Sequence, residues 1–219
     1  MTETARALRV DVWADIVCPW CYVGEARLER AVAALASATG TPTDVTIVPR
    51  AFELDPSHSH PERVLDMLAR KYGRSPQEVE AMDARVAGLA AEEGLPYTSD
   101  RVVTNTFDAH RLIAAAEAEA GAGLAVLGAL QRGHFGGDLD LSDADDLVAA
   151  AESAGLGADR AREVLAGDDY ADAVRADGAL ARQLGVTGVP FTVVAERYAI
   201  AGAQPLGQYE HVLRTALEY

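Results

Sequence analysis

A near-continuous apolar run from Leu8 to Ile16, with β-branched and aromatic residues and interrupted by Asp11 and Asp15 as well as Arg9, opens the ordered pattern of the chain and predicts a buried strand. Leu28, Val32 and Leu35 then recur at helical spacing. They predict a helix that begins within Cys18-Pro19-Trp20-Cys21 and runs through Ala38, weakened but not ended by Gly24. After the turn-rich Gly40 to Thr43, residues Asp44 to Phe52 read as a second strand. The opening of the chain is therefore a βαβ unit.

From Asp55 the pattern changes. The loop Asp-Pro-Ser-His-Ser-His-Pro leads into a long stretch with almost no strand periodicity, which predicts about four to six helices. Ser75-Pro76-Gln77-Glu78 supplies an N-cap, a first-turn proline and a capping-box glutamate in order. Asn105 with Asp108 predicts a cap for a helix running through Glu119, and Ser142 with Asp145 repeats that spacing more weakly. Gly121, Gly136, Gly137, Gly155 and Gly185 punctuate the remaining segments. Strand signal returns at Phe191 to Val194 and Tyr198 to Ala201 as a hairpin, and Gly207 to Leu217 closes the chain as a helix. The order predicts an α/β fold with one sheet built from residues 1–56 and 168–219, and an all-helical insertion over residues 57–167.

The chain has 219 residues, 49% of them hydrophobic and 24% charged, enough for one substantial core. Against 34 acidic residues stand 19 Lys and Arg, and the net charge of −15 opposes nucleic acid or an anionic membrane surface as partner. The longest apolar run, Gly121 to Leu130, is about half of a bilayer span, and the N-terminal Met-Thr-Glu-Thr-Ala-Arg lacks the blocks of a secretory signal. A cytoplasmic location is expected.

Only two cysteines are present, Cys18 and Cys21, in one C-x-x-C. So short a loop cannot staple a fold, so the chemistry must belong to the pair itself. Proline is best tolerated at the first helical position, which makes Cys18 the N-cap and aims its sulfur at the free amides of the first turn, those of Trp20 and Cys21 among them. The helix end favours thiolate there, and an exposed thiolate suits attack on a disulfide, with Cys21, less exposed, resolving the mixed disulfide. Structural zinc needs four ligands, and the only close histidine pair, His58 and His60, lacks the usual spacing. No metal and no bound cofactor are expected.

Five ordered motifs extend this reading: Asp15 to Gly24 (DIVCPWCYVG), Phe52 to Pro56 (FELDP), Asn105 to Leu112 (NTFDAHRL), Gly185 to Phe191 (GVTGVPF) and Gly202 to Pro205 (GAQP). Together they resemble the DsbA family of thioredoxin-fold oxidoreductases, in its cytoplasmic FrnE-like branch. The resemblance implies a thioredoxin fold (βαβ plus ββα) with a helical insertion, and a cis Val189-Pro190 bond facing the cysteines. It makes Pro19, Trp20, Val189 and Pro190 substrate-binding candidates. The periplasmic founders carry histidine where Trp20 stands, so no imidazolium assists Cys18. The similar kappa-class transferases and 2-hydroxychromene-2-carboxylate isomerases have serine in place of Cys18.

Thioredoxin-like proteins place a buried acid six residues before the first cysteine, where this chain has Val12. Asp11 would need a bulge to reach that face, and Asp15 either assists the thiols or ends the strand. Asn105 and Gln204 complete the candidate supporting residues. Trp20 offers substrate an apolar platform or caps the core; His110 reads as structural, His58 and His60 as exposed loop residues with a place near the cleft as the lesser alternative, and His134 and His211 form no constellation. The expected activity is thiol-disulfide oxidoreduction or isomerisation on a disulfide-containing protein or a small thiol, glutathione among them. The alternatives are a glutathione-dependent transferase or isomerase of a small aromatic molecule, and a metal-binding or chaperone-like protein.

Overall fold

A computed structural model describes residues 7–39 and 44–218, so the turn expected at Gly40 to Thr43 lies outside the described residues. The chain opens with strand β1 (Ala7–Ala14), helix α1 (Pro19–Thr39) and strand β2 (Asp44–Ala51), the last parallel to β1. Strands β5 (Phe191–Val194) and β6 (Tyr198–Ala201) form an antiparallel hairpin that adds to the other side of β1, giving the order β2-β1-β5-β6. β2 is an edge, and an edge accommodates Pro49, whose missing N–H would break an interior ladder. The last helix, α9 (Leu206–Glu218), packs against α1.

Between β2 and β5 the chain forms seven helices: α2 (Val64–Tyr72), α3 (Pro76–Glu92), α4 (Phe107–Ala120), α5 (Gly123–Gly136), α6 (Ala144–Ser153), α7 (Ala158–Ala166) and α8 (Ala171–Gln183). A two-residue ladder, β3 (Glu62–Arg63) against β4 (Val102–Val103), ties the start of this block to its middle. The capping box is complete: Ser75 accepts from the Glu78 N–H, and the Glu78 carboxylate accepts from the Ser75 N–H at 2.9 Å. Two other expected caps are displaced by one residue. Thr106 occupies the N-cap of α4, while Asn105 folds into a turn by accepting the Phe107 N–H at 2.9 Å. Asp143 caps α6, accepting from the N–H groups of Asp145 and Asp146, while the Ser142 hydroxyl bonds Asp140 instead.

Alternation along β1 assigns its two faces. Val10, Val12 and Ala14 join the main core with Leu28, Ala31 and Leu35 of α1, Leu112 of α4, Leu130 of α5 and Leu213 of α9. Asp11 and Trp13 point the other way: Trp13 Nε1 donates to the Asp177 carbonyl on α8, and Arg50 bridges Asp11 at 2.8 Å and Asp177 at 3.1 Å. One continuous core therefore runs from the sheet into the helices between its two halves.

Candidate active site

At the end of β1 the chain passes through Asp15, Ile16 and Val17 to Cys18, where α1 begins with Pro19. Cys18 occupies the helix start as its proline neighbour requires. Its carbonyl accepts from the N–H groups of Cys21 at 3.0 Å and Tyr22 at 3.2 Å, and its Sγ accepts from the Cys21 N–H at 3.4 Å. Both cysteines are unlinked. Cys18 is less open than expected, with 4% of its surface exposed, and Cys21 is fully buried. Burial pushes the Cys21 thiol well above its ordinary range, and hydrogen bonding and charge at Cys18 push it the same way.

The Val189–Pro190 bond is cis, and Cys18 Sγ donates to the Val189 carbonyl at 3.5 Å. Gly24 explains how α1 comes so close to this loop. A Cβ there would lie 3.0 Å from Pro190 Cγ and 3.3 Å from the Tyr209 hydroxyl, so the glycine that weakens the helix is what lets the two segments meet. Gly202 N–H donates to the Pro190 carbonyl at 2.8 Å, and Gln204 Nε2 donates to the Ala201 carbonyl at 2.7 Å within the turn that carries Gly202. Gln204 thus closes the turn between β6 and α9 and does not line the cavity beside Cys18.

Asp15 is buried and does more than end the strand. Its carbonyl accepts the Cys18 N–H at 3.2 Å, Oδ2 accepts the Leu54 N–H at 2.7 Å, and Oδ1 lies 3.4 Å from His110 Nε2. His110, carried on α4, therefore lies against Asp15. Asn105 lies apart from the thiols, with its side-chain amide on the Pro56 carbonyl at 3.4 Å. β1 pairs with β2 without a bulge, which leaves Asp11 on the far face in ion pairs with Arg9 and Arg50, and Val12 in the core.

A second buried acid near the thiols is Glu25, which carries no role in the sequence reading. Its Oε1 accepts from Gln131 Nε2 at 3.4 Å, and burial, then the charge of Glu29, push its carboxyl well above the usual range. A signal was available: Cys21, Glu25, Leu28, Val32 and Leu35 fall on one helical stripe, so an acid in that row must face the interior. A folded-state pKa raised above the unfolded value of 4.5 means the folded chain holds the proton longer. Stability therefore falls as pH rises from that value toward the folded pKa, by at most about 1.4 kcal/mol per pH unit for one group. Glu25→Gln is expected to remove this fall, raising the urea midpoint of the reduced protein at pH 8 relative to wild type while leaving it unchanged at pH 4. Equal effects at both pH values would refute a proton held by Glu25.

A cavity of about 430 Å³ opens beside Cys18. Pro19, Trp20 and Val189 line it on one side, α2 and α3 on the other. Trp20 is exposed at its edge and does not cap the core. His58, expected in the open, lines the cavity with its side chain 8% exposed, because Asp55 and Glu62 hold it from either side at 3.7 and 3.6 Å. His60 is exposed beside it. His134 is buried without a hydrogen-bond partner, and desolvation pushes its pKa down to about 3, so it stays neutral. Among the described residues no group of three or more His, Cys, Asp and Glu converges as a metal site, and no helix is long and apolar enough to cross a membrane.

Comparisons with known proteins cover nearly the whole chain. A probable DsbA oxidoreductase from Streptomyces coelicolor is 44% identical, with 96% of this chain and 90% of that one covered at a TM-score of 0.88. The cytosolic disulfide reductase DsbM from Pseudomonas aeruginosa, solved with GSH, is 22% identical with 96% and 100% covered at a TM-score of 0.63. A 2-hydroxychromene-2-carboxylate isomerase is 18% identical with 96% of each chain covered, also at 0.63. No curated protein matches the sequence. Residues 9–214 match the family model of the DSBA-like thioredoxin domain, and on that match and the 44% identical relative the chain belongs to this family of thiol-disulfide oxidoreductases.

Proposed function

We propose that the protein exchanges disulfides through Cys18 and Cys21, with Cys18 attacking and Cys21 resolving. The observation that carries this reading is the asymmetry of the pair: Cys18 lines the cavity, whereas Cys21 is buried behind it and holds its proton. The Cys18 thiolate attacks a substrate disulfide, forming a mixed disulfide and releasing one substrate thiolate. Cys21 then attacks Cys18 Sγ, its proton passes to the second leaving sulfur, and two electrons have moved from the dithiol to the substrate. Run backwards, the same steps oxidise a substrate dithiol. Direction follows from the potential of the pair against the surrounding thiol pool. Val189 and Pro190, beside Cys18 Sγ, and Trp20, at the cavity edge, are the proposed substrate contacts.

The scarcity of cysteine, with none left to staple the fold, suits a reducing cytoplasm in which glutathione is a natural counter-thiol. A non-redox glutathione transferase or isomerase would have no use for a second, buried thiol. Titrating the protein with glutathione buffers of graded potential separates the two. Disulfide exchange is expected to yield a Cys18–Cys21 disulfide with a single two-electron midpoint, read by mass spectrometry after alkylation. Tight glutathione binding with both thiols still alkylatable would sink the proposal.

A further inference from the structure

We propose that the cavity beside Cys18 selects low-molecular-weight disulfides that carry an apolar body and an anionic group, the body lying against α2 and α3 and the anion meeting Lys71 and Arg85. The inference rests on Cys18 as the attacking thiol. The cavity volume of about 430 Å³ falls within the span of roughly 300 to 1,000 Å³ typical of small-molecule sites. Of the seven large apolar side chains exposed among the described residues, four line this cavity: Trp20, Leu54, Tyr72 and Met82. Such clustering marks a binding surface, since scattered exposed apolar residues need no explanation and a concentrated patch does. Met67 and Met82 add unbranched side chains that adapt to differently shaped bodies.

Charge sets the second half of the specificity. The three acids in the lining are already engaged. Asp15 holds the Leu54 amide and faces His110, Asp83 is bonded by Arg101, and Asp55 takes the Ser57 hydroxyl at 2.6 Å and amide at 3.1 Å. Lys71 in the last turn of α2 and Arg85 on α3 are exposed in the same lining, and neither has an ion-pair partner among the described residues; Asp55 is only a more distant charge for Lys71. In a chain of net charge −15, two unpaired cations beside a reactive thiol offset a field that would otherwise repel an anionic substrate. An apolar body between them and Cys18 places its sulfur where the exchange occurs.

The test uses reduced full-length protein and two aromatic disulfides that differ in charge, anionic dithiobis(nitrobenzoate) and neutral dithiodipyridine, with rates followed by thiol release. Replacing both cations (Lys71→Ala with Arg85→Ala) is expected to slow the anionic disulfide about tenfold at low salt and leave the neutral one within about twofold. A charge-matched control, Arg162→Ala with Arg214→Ala, removes two exposed cations outside the cavity and is expected to leave the ratio of the two rates unchanged. Tyr72→Ala with Met82→Ala is expected to slow both aromatic disulfides several-fold relative to small, polar hydroxyethyl disulfide. If the cavity and control variants shift the ratio equally, or neither shifts it, the charge selection is overturned while disulfide exchange stands. Equal slowing of all three disulfides by the Tyr72 and Met82 changes overturns the apolar site. If wild-type protein reacts with none of them, the exchange chemistry fails and the proposal falls with it.

Discussion

Cys18→Ser is expected to abolish disulfide exchange, by at least about a thousandfold in rate, whereas Cys21→Ser is expected to complete the first step and then stall with substrate held on Cys18. The two thiols are three residues apart, yet the fold gives them different surroundings. Cys18 meets the cavity, accepts the Cys21 N–H and donates to the Val189 carbonyl, so an incoming disulfide reaches this sulfur first. Cys21 has no exposed surface, and its thiol is held protonated by burial. It becomes useful only after Cys18 has been consumed in a mixed disulfide, when attack on the adjacent Sγ needs no access from solvent. No third cysteine exists to release the trapped adduct, so the mixed disulfide of the Cys21→Ser variant should persist. Mass spectrometry after exposure to glutathione disulfide checks this: one glutathione on Cys21→Ser, none on Cys18→Ser, and an internal disulfide in wild type. A glutathione adduct on Cys21 in the Cys18→Ser variant would reverse the assigned roles.

How much of this was legible in the sequence depended on the range of the interactions involved. The βαβ opening, the β5–β6 hairpin and the placement of the cysteines at a strand-to-helix junction are local, and periodicity with proline at the first helical position suffices for them. The β3–β4 ladder escaped because two-residue strands carry no period, and it pairs Glu62 and Arg63 with Val103 and Val102 across a long separation. The α4 and α6 starts slipped by one residue for a chemical reason. Asn105 and Asp140 turn back on nearby N–H groups at 2.9 and 2.8 Å, and such turns compete with capping by the same residue types. His58 entered the cavity wall through tertiary neighbours that no loop composition announces. Glu25 is different, because its place on the buried stripe of α1 was readable and only the habit of assigning charges to solvent concealed it.

Replacing Arg101 by methionine is expected to destabilise the protein by about 3 to 5 kcal/mol near neutral pH, the range for removing one partner of a buried ion pair. Arg101 and Asp83 are both buried, and their contact at 2.9 Å joins the segment before β4 to α3. The guanidinium also donates to the Tyr97 hydroxyl at 2.8 Å and lies 4.5 and 5.0 Å from the ring centres of Tyr97 and Phe135. Phe135 in turn stacks on Tyr22, one residue beyond Cys21, at 4.8 Å. The pair therefore braces the helical wall of the cavity against the helix that carries the thiols. Burial alone would raise the Asp83 carboxyl, but bonds from Arg101, Ser99 and Tyr97 together hold it below its ordinary value of 3.8. A depressed folded pKa contributes stability that is present above 3.8 and lost as pH falls through the lower folded value. Without Arg101 only the Ser99 and Tyr97 bonds oppose the desolvation of Asp83, its folded pKa rises, and protonation relieves the unpaired charge as pH falls. The penalty of Arg101→Met is thus expected to be smaller at pH 4 than at pH 7, and Asp83→Leu combined with Arg101→Met should recover much of the loss, because apolar replacement of both partners leaves no charge buried alone. Urea denaturation of the three proteins at the two pH values decides it. A loss below about 1 kcal/mol, or one that is the same at both pH values, would show that the wall is held by ring packing and not by the ion pair.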